Sequence, residues 1–504
     1  LYQPQLKKKG ENPMPDMTDQ TLDAIKKVHS DQTIQKSVTT STGLTAYDLQ
    51  APAKNLYPVN TPIRNVIPRI GGGVGTATNW KQVSAITGGG YNAMGWVSEG
   101  QRVARMSYTT ADKSASYKTL GEEDQASYEA ISAGRGFEDI RARMTMRLLQ
   151  KMMLKEEIAL LGGNNSVALG TPGTPTLAAA GSGATLPAAT YSVIVVALTL
   201  EGYLNSSLAG GVATTTNFTG ADGSSYTVKG GSSQKSAAAT QAVTLGQTLS
   251  CSVTAVSGAV AYAWYIATAG NEKLEAITTI NSVTFSAPLA GTGQAATAIT
   301  ADNSQNTLAF DGLLYAAFAS GSNAYIDTLA TGTAGTGTVL AANGIGGVTQ
   351  IDTMLATMWN NYQVSPSVIY VNAQELKNIA AKSLAASGGA SLLQINDGNG
   401  RAIVANTTVT GYFNPYSMNG GVTIPIRLHP TLPAGTLVGW AENLPAQYQS
   451  NEVPNVAEVK ERVGYYQIDW PLRTRQQEVG VYVEEVLAVY APFALGVIRN
   501  IANG

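Results

Sequence analysis

The chain has 504 residues, 44% of them hydrophobic, and a net charge of -2. The length fits about three domains of roughly 150 residues each, and the near-neutral balance excludes bulk attraction to nucleic acid while leaving room for a local basic stripe. Only 13% charged residues beside 53 glycines point to many turns, few solvated ion pairs and a surface largely buried against copies of itself. Cys251 is the only cysteine, so no intrachain disulfide can form, which favours folding in a reducing cytoplasm. The start, LYQPQLKKKGENP, has no apolar core after its charges and does not read as a signal peptide. The best apolar run, YSVIVVALTL, is half of the roughly 20 residues a membrane helix needs. It is β-branched enough to be a strand.

Residues 1–73 read as an N-terminal arm. A short helix is expected over 18–28, capped by Thr18 or Asp19. The Pro-punctuated run that follows, with Pro52, Pro58, Pro62 and Pro68, keeps its neighbours out of helix. Residues 74–125 read as an extended hairpin: GTATNWKQVSAI and GQRVARMSYTTADKSASYKTL bracket a Gly-rich tip. A lone hairpin is marginal in water and needs a partner surface. Tyr91 and Trp96 sit at the tip, where large aromatics are expected to touch a neighbouring subunit.

Residues 126–170 carry the strongest helix. Phe137, Ile140, Met144, Leu148 and Met152 recur at three- and four-residue spacing, and Gly162-Gly163-Asn164 ends it. Arg147, Lys151 and Lys155 fall at four-residue intervals. They read either as a solvated face or as a face turned towards a polyanion, diluted by Glu156 and Glu157.

Residues 171–297 look like a foreign domain dropped into a host. The segment holds Lys229, Lys235 and Lys273 and no arginine, and its short strands are separated by turn signals without helical period. That pattern means a β-sandwich. Loop tips tolerate insertions, so it is expected to fold independently and to be dispensable to the host. Cys251 and Trp264 have the spacing of the first core Cys and core Trp of immunoglobulin-like sandwiches, and AVSGAVAYAWYIA is similar to the fibronectin type III pattern. The second Cys is missing.

Residues 298–346 link onward. Residues 347–452 alternate helix and strand: GVTQIDTMLATMWNNY, SVIYVN, AQELKNIAAKSL, a turn at Asp397-Gly398, then GTLVGWAE. Residues 453–504 hold a strand pair, RVGYYQIDW and VGVYVEEVLAVYAP, without a helix of its own. The fold class expected is α+β.

Catalytic signals are nearly absent. The two histidines, His29 and His429, read as structural or solvated, because a His gains catalytic meaning only with placed partners. The Gly71–Gly75 run lacks the Lys-Ser/Thr of a phosphate loop and reads as a joint. Asp397–Gly400 lacks the bidentate Glu of a calcium loop. No catalytic, cofactor or metal site is expected, and the chain does not read as an enzyme.

The order of elements outside the insert resembles a tailed-bacteriophage major capsid protein of the Hong Kong 97 type: arm, extended loop, spine helix, axial domain, return strand. FDGLLYAAF (310–318), GVTQIDTMLATMWNNYQVSPSVIYVNAQELKNI (347–379), HPTLPAGTLVGW (429–440) and EVGVYVEEVLAVYAPFALGVIRNI (478–501) carry it. The resemblance implies a virion shell protein that assembles in a bacterial cytoplasm as hexamers and pentamers around double-stranded DNA. Scaffold, portal and possible decoration proteins would be its partners, with no membrane. Arg147, Lys151 and Lys155 would then face DNA, and Tyr91 and Trp96 a neighbouring subunit. An encapsulin-like compartment and a surface adhesin or surface-layer protein are the alternatives.

Overall fold

A computed structural model describes residues 60–87, 96–102, 107–134, 139–220, 223–385, 409–417, 420–444, 455–472 and 474–504. The expected arm helix at 18–28, His29, Tyr91, Phe137 and the turn at Asp397–Gly400 lie outside the described residues. The fold is α+β. In chain order come β1 (Arg69–Ile70), β2 (Ala77–Thr87), β3 (Ser107–Ser116), β4 (Lys118–Ser127), α1 (Tyr128–Ala133) and α2 (Ile140–Gly162). Next come β5 (Thr176–Ala180), β6 (Ala189–Leu198), α3 (Leu200–Asn205), β7 (Thr215–Thr219), β8 (Ser225–Lys229) and β9 (Ala239–Val243). They continue into β10 (Thr248–Ser252), β11 (Ala261–Ala267), β12 (Lys273–Thr278) and β13 (Ser282–Phe285). Then follow α4 (Leu313–Phe318), β14 (Tyr325–Thr328), α5 (Thr349–Tyr362), β15 (Val368–Val371) and α6 (Ala373–Ala385). The last strands are β16 (Gly411–Asn414), β17 (Val422–Leu428), β18 (Thr436–Trp440), β19 (Ala457–Asp469), β20 (Gln476–Val489) and β21 (Leu495–Arg499).

α2 is the backbone of the first layer. Its carboxylate cap, Asp139, accepts from the Arg141 and Ala142 amides at 3.0 and 3.2 Å. Met144, Leu148 and Met152 then line the face that packs on Ala126, Val479, Val481 and Val483. That sheet runs β1-β19-β20-β4. The terminal strand pair is covered by α2, whose packing residues come from more than 300 residues earlier in the chain. The helical stretch is broken in two, with α1 ending before α2 begins.

The glycines that end α2 act by close approach. Gly163, the C-terminal cap, keeps an ordinary negative φ of -59°. A Cβ on Gly162 would fall 2.2 Å from the Leu200 side chain, and one on Gly163 2.5 Å from the Phe310 carbonyl oxygen. Larger residues there would push the helix end off the neighbouring chain.

The second sheet runs β14-β21-β18-β15-β17-β16. α5 lays Ile351, Met354, Leu355 and Met358 against it, and β15, β18 and β21 supply the fully buried side chains opposite. β20 and β21 follow one another in sequence yet belong to different sheets. The same core takes in Leu160 and Leu161 from the end of α2 and Ile63 and Ile67 from the segment before β1.

Between them, residues 176–285 form two facing antiparallel sheets, β13-β10-β5 and β12-β11-β6-β9. Leu249 and Cys251 on β10 face Tyr262, Trp264 and Ile266 on β11 and Tyr191, Val193 and Val195 on β6. The sequence pattern of β6 and β11 is continuous instead of alternating because both faces are covered. Their other residues, Ile194, Val196, Leu198, Ala261, Ala263 and Tyr265, enter a separate core with Val212, Ala296 and Ile299. Cys251 and Trp264 are both core residues, on opposite sheets. The strand order departs from the constant-type immunoglobulin fold, which puts strands one, two, four and five in one sheet. Here the first, fourth and last of the seven strands share a sheet.

The sandwich is joined to its host by a buried polar seam, which the expectation of an independent insert did not foresee. Arg499, at the end of β21, donates to the Val256 and Ala259 carbonyls at 2.6 and 2.8 Å and to the Thr328 hydroxyl at 2.8 Å. Its guanidinium also lies 5.3 Å over the Phe318 ring. Asn500, at a positive φ of 63°, exchanges hydrogen bonds with Asn281 at 2.8 and 3.1 Å. The Tyr315 hydroxyl accepts from the Leu200 amide at 3.1 Å and donates to the Gly258 carbonyl at 3.2 Å. The two ends of the segment meet where Gly170 donates to Asp302 at 2.8 Å and Leu169 to the Ser304 hydroxyl at 2.9 Å.

Candidate assembly surfaces and a buried charge cluster

Among the described residues β2 and β3 form a two-stranded sheet joined to no other strand. They pair from Ala77 opposite Ser116 to Thr87 opposite Ser107, with a bulge between Val83 and Ala85. The ribbon is pinned at its base, where the Trp80 indole donates to the Val489 carbonyl at 3.0 Å. An open cleft of about 1120 Å³ runs between that base and the body, lined in part by Val74, Trp80, Tyr117, Tyr490 and Phe493. Beyond the ribbon, Trp96 is 89% exposed. Tyr91, the other aromatic expected at the tip, lies outside the described residues.

Arg147, Lys151 and Lys155 all lie on the exposed side of α2. They are not equivalent. Lys151 sits 3.3 Å from the Glu122 carboxylate on β4, and Lys155 pairs with the same carboxylate. Partial burial pulls the Lys155 pKa down. No ion pair of Arg147 is recorded among the described residues, and the adjacent Met146 is 62% exposed. The stripe therefore carries one carboxylate of β4 across two of its cations, a contact that the helix sequence alone does not contain.

The residues that dilute the stripe in the sequence prove to be the centre of a buried cluster. Glu156 and Glu157 are 0% and 1% exposed. Glu157 accepts from the backbone amides of Ile63 and Arg64 at 2.9 and 2.7 Å, and its Oε1 lies 2.7 Å from His429 Nε2. His429 is thus a structural histidine, buried edge-on to the Tyr370 ring at 5.8 Å. Glu156 accepts from Arg64 Nε at 2.7 Å, from Arg69 and from the Tyr465 hydroxyl. Arg69 also reaches Glu461 at 2.8 Å and Glu485 at 3.3 Å. The signal available in sequence was the Glu pair itself, on the edge of an apolar helix face.

Among the described residues no group of His, Cys, Asp and Glu is placed to hold a metal ion. No described helix is long and apolar enough to cross a membrane.

No protein-family model matches the chain, and no curated protein matches it. Solved structures similar to it include the capsid of the cyanophage P-SCSP1u, at 9% identity and a TM-score of 0.39 over 94% of this chain and 97% of that one. The capsid of the Myoviridae phage XM1 is similar at 10% identity and a TM-score of 0.37, over 90% of this chain and 98% of that one. The encapsulin complex of Synechococcus elongatus is similar at 9% identity and a TM-score of 0.36, over 90% and 92%.

Proposed function

We propose that this chain is a structural shell protein of the Hong Kong 97 type, assembling as hexamers and pentamers into an icosahedral capsid around double-stranded DNA. The β2–β3 ribbon carries the reading. At ~3.4 Å per residue a strand of this length reaches about 35 Å, and an isolated two-stranded ribbon is marginal in water. A chain that holds out such a ribbon with an exposed tryptophan beyond it has a use for it on another copy, and closed rings of copies supply that surface. On this reading the N-terminal arm drapes over neighbours up to about residue 60, since Ile63 and Ile67 already pack into the subunit's own core, and the two sheets serve as peripheral and axial domains. Residues 171–297 form an immunoglobulin-like sandwich, in architecture though not in strand order, on the outer face. Scaffold, portal and decoration proteins are the further partners.

Electron microscopy of the purified chain, made with its scaffold partner, tests the reading: closed particles are expected, and monomers or small dimers under all conditions would refute it. Trp96→Ala in the same preparation should cut particle yield by ten-fold or more, since a buried aromatic anchor contributes about 2 kcal/mol or more. Subunit melting should not change, because Trp96 is exposed within the subunit.

The DNA cargo has its own test. Replacing Arg147, Lys151 and Lys155 with Gln should leave empty shells intact and lower the DNA they retain, since such contacts read phosphate rather than base. Arg147→Gln alone should give most of the loss, because Glu122 already occupies the two lysines. That hold of Glu122 is also what favours the second reading, an encapsulin-like shell with protein cargo. Unchanged DNA content in the triple variant would remove these residues from the interface.

A further inference from the structure

The Glu156 cluster joins four elements that are far apart in sequence. Glu156 comes from α2, Arg64 and Arg69 from the segment up to β1, Glu461 and Tyr465 from β19, and Glu485 from β20. Glu156 and Glu485 are both 0% exposed as side chains. Three carboxylates, Glu156, Glu461 and Glu485, face two guanidinium groups, so one negative charge is left over when all are ionised. Glu485 is the weakest-held of the three. Its Oε2 reaches Arg69 at 3.3 Å, and its Oε1 is buried with no hydrogen-bond partner.

We propose that this cluster is a proton-operated latch: with a proton on Glu485 it holds residues 61–70 against α2 and β20, and it releases them as that carboxyl ionises. The inference concerns the single chain and stands whether or not the chain forms shells.

The geometry explains why this segment is the part that would move. The β1 ladder is two residue pairs long, Arg69 with Val459 and Ile70 with Lys460, flanked by the Pro68 carbonyl, which accepts from Val459, and the Gly73 amide, which donates to the Glu461 carbonyl. Directly after it lies a glycine joint, with Gly72 at a φ of 84° and Gly75 at 78°. Beyond the joint begins the β2–β3 ribbon. Loss of Arg69 from the cluster would therefore loosen the segment before the joint, while the ribbon's base keeps its Trp80–Val489 hydrogen bond.

The groups that face Glu485 set the direction. Burial raises its pKa to about 7, and the Glu461 charge adds to this, while Arg69 and Arg64 oppose it. Lys118 is the cross-strand partner on β4, but its ammonium is taken by the Thr307 carbonyl at 2.6 Å. Tyr465 shares the cluster through Glu156. Glu157, paired with His429, holds the Ile63 and Arg64 amides and not Glu485. A carboxyl whose pKa is raised on folding stabilises the closed form fully below the ordinary carboxylate range. That contribution is lost as pH rises through about 7. The latch thus closes in acid and loosens in mild alkali.

Hydrogen exchange of the full-length chain reads it. After correction for intrinsic exchange, the amides of residues 60–73 should open roughly ten-fold or more as pH goes from about 5.5 to about 8.5. Glu485→Gln keeps the shape and carries no titrating proton, so its protection should be flat over that range. Glu461→Gln removes the repelling charge at a partly exposed position and should move the wild-type midpoint to lower pH. Should Glu485→Gln not fold, the Glu461→Gln shift in an otherwise wild-type cluster decides the matter. Protection of residues 60–73 that is flat in wild type, or equally pH-dependent in Glu485→Gln, or unmoved in Glu461→Gln, would overturn the latch.

Discussion

Arg499→Met should lower the stability of the subunit by about 3 kcal/mol, read as a shift in urea midpoint with the slope unchanged. Arg499 is 6% exposed and has no carboxylate partner recorded among the described residues. Its charge is held by the two carbonyls of the β10–β11 turn and by Thr328 on β14. Burial pulls its pKa down, opposed only by the Tyr262 and Tyr315 hydroxyls. Methionine keeps most of the stem's volume and removes the donors. Two effects then compete. Relief of a buried charge favours the variant, whereas each buried carbonyl left without a donor costs about 1–3 kcal/mol. Both carbonyls are orphaned at once and the Phe318 ring no longer faces a cation, so the cost wins. Arg147→Met on the exposed face of α2 is the control and should stay within about 0.5 kcal/mol of wild type. A loss below about 1 kcal/mol for Arg499→Met would mean that the apolar faces alone hold the sandwich in place. The expected result also bears on deleting residues 171–297. A short linker there would strand Arg499, Asn500 and Tyr315 at once, so the deletion should destabilise the host far more than loop closure would.

Glu157→Ala should cost about 4 kcal/mol, one of the largest effects of any single change in this chain. The carboxylate serves the Ile63 and Arg64 amides and His429 together. Truncation leaves those donors facing a cavity, at about 1–3 kcal/mol for each buried orphan. Limited proteolysis should then cut near residues 60–70 in the variant and not in wild type. Glu157→Gln keeps one acceptor and should lie between the two. A Glu157→Ala variant within about 1 kcal/mol of wild type would show that water replaces the carboxylate there.

The parts of the fold that are legible in sequence are those whose cause is local. Met144, Leu148 and Met152 announce the buried face of α2 by spacing, and the turn-separated strands after residue 171 announce a sandwich. The apolar run of β6 is legible as a strand, but not its two covered faces, because Val212, Ala296 and Ile299 come from elsewhere in the chain. The Gly162-Gly163 stop is legible too, but its physical reason is not: the neighbours Leu200 and Phe310 require it, rather than backbone handedness. Glu156 and Glu157 show in sequence only as charges that dilute a basic stripe. Their partners lie about 90 residues upstream and several hundred downstream in separations of 92, 272 and 309, and no periodicity carries that. The seam at Arg499 is illegible for the same reason: a single arginine at a strand end has no local mark of burial.

Cys251 has a practical consequence. It is the only thiol in the chain and is 0% exposed in the sandwich core, where burial pushes its pKa up to about 12. A buried thiol of that kind stays protonated and out of reach of alkylating reagents. The native protein therefore accepts a single-site spectroscopic label without prior removal of its own cysteine. A Trp96→Cys variant would present one reactive sulfur at the far side of the ribbon, and a fluorophore there would report in real time on whatever comes to cover it.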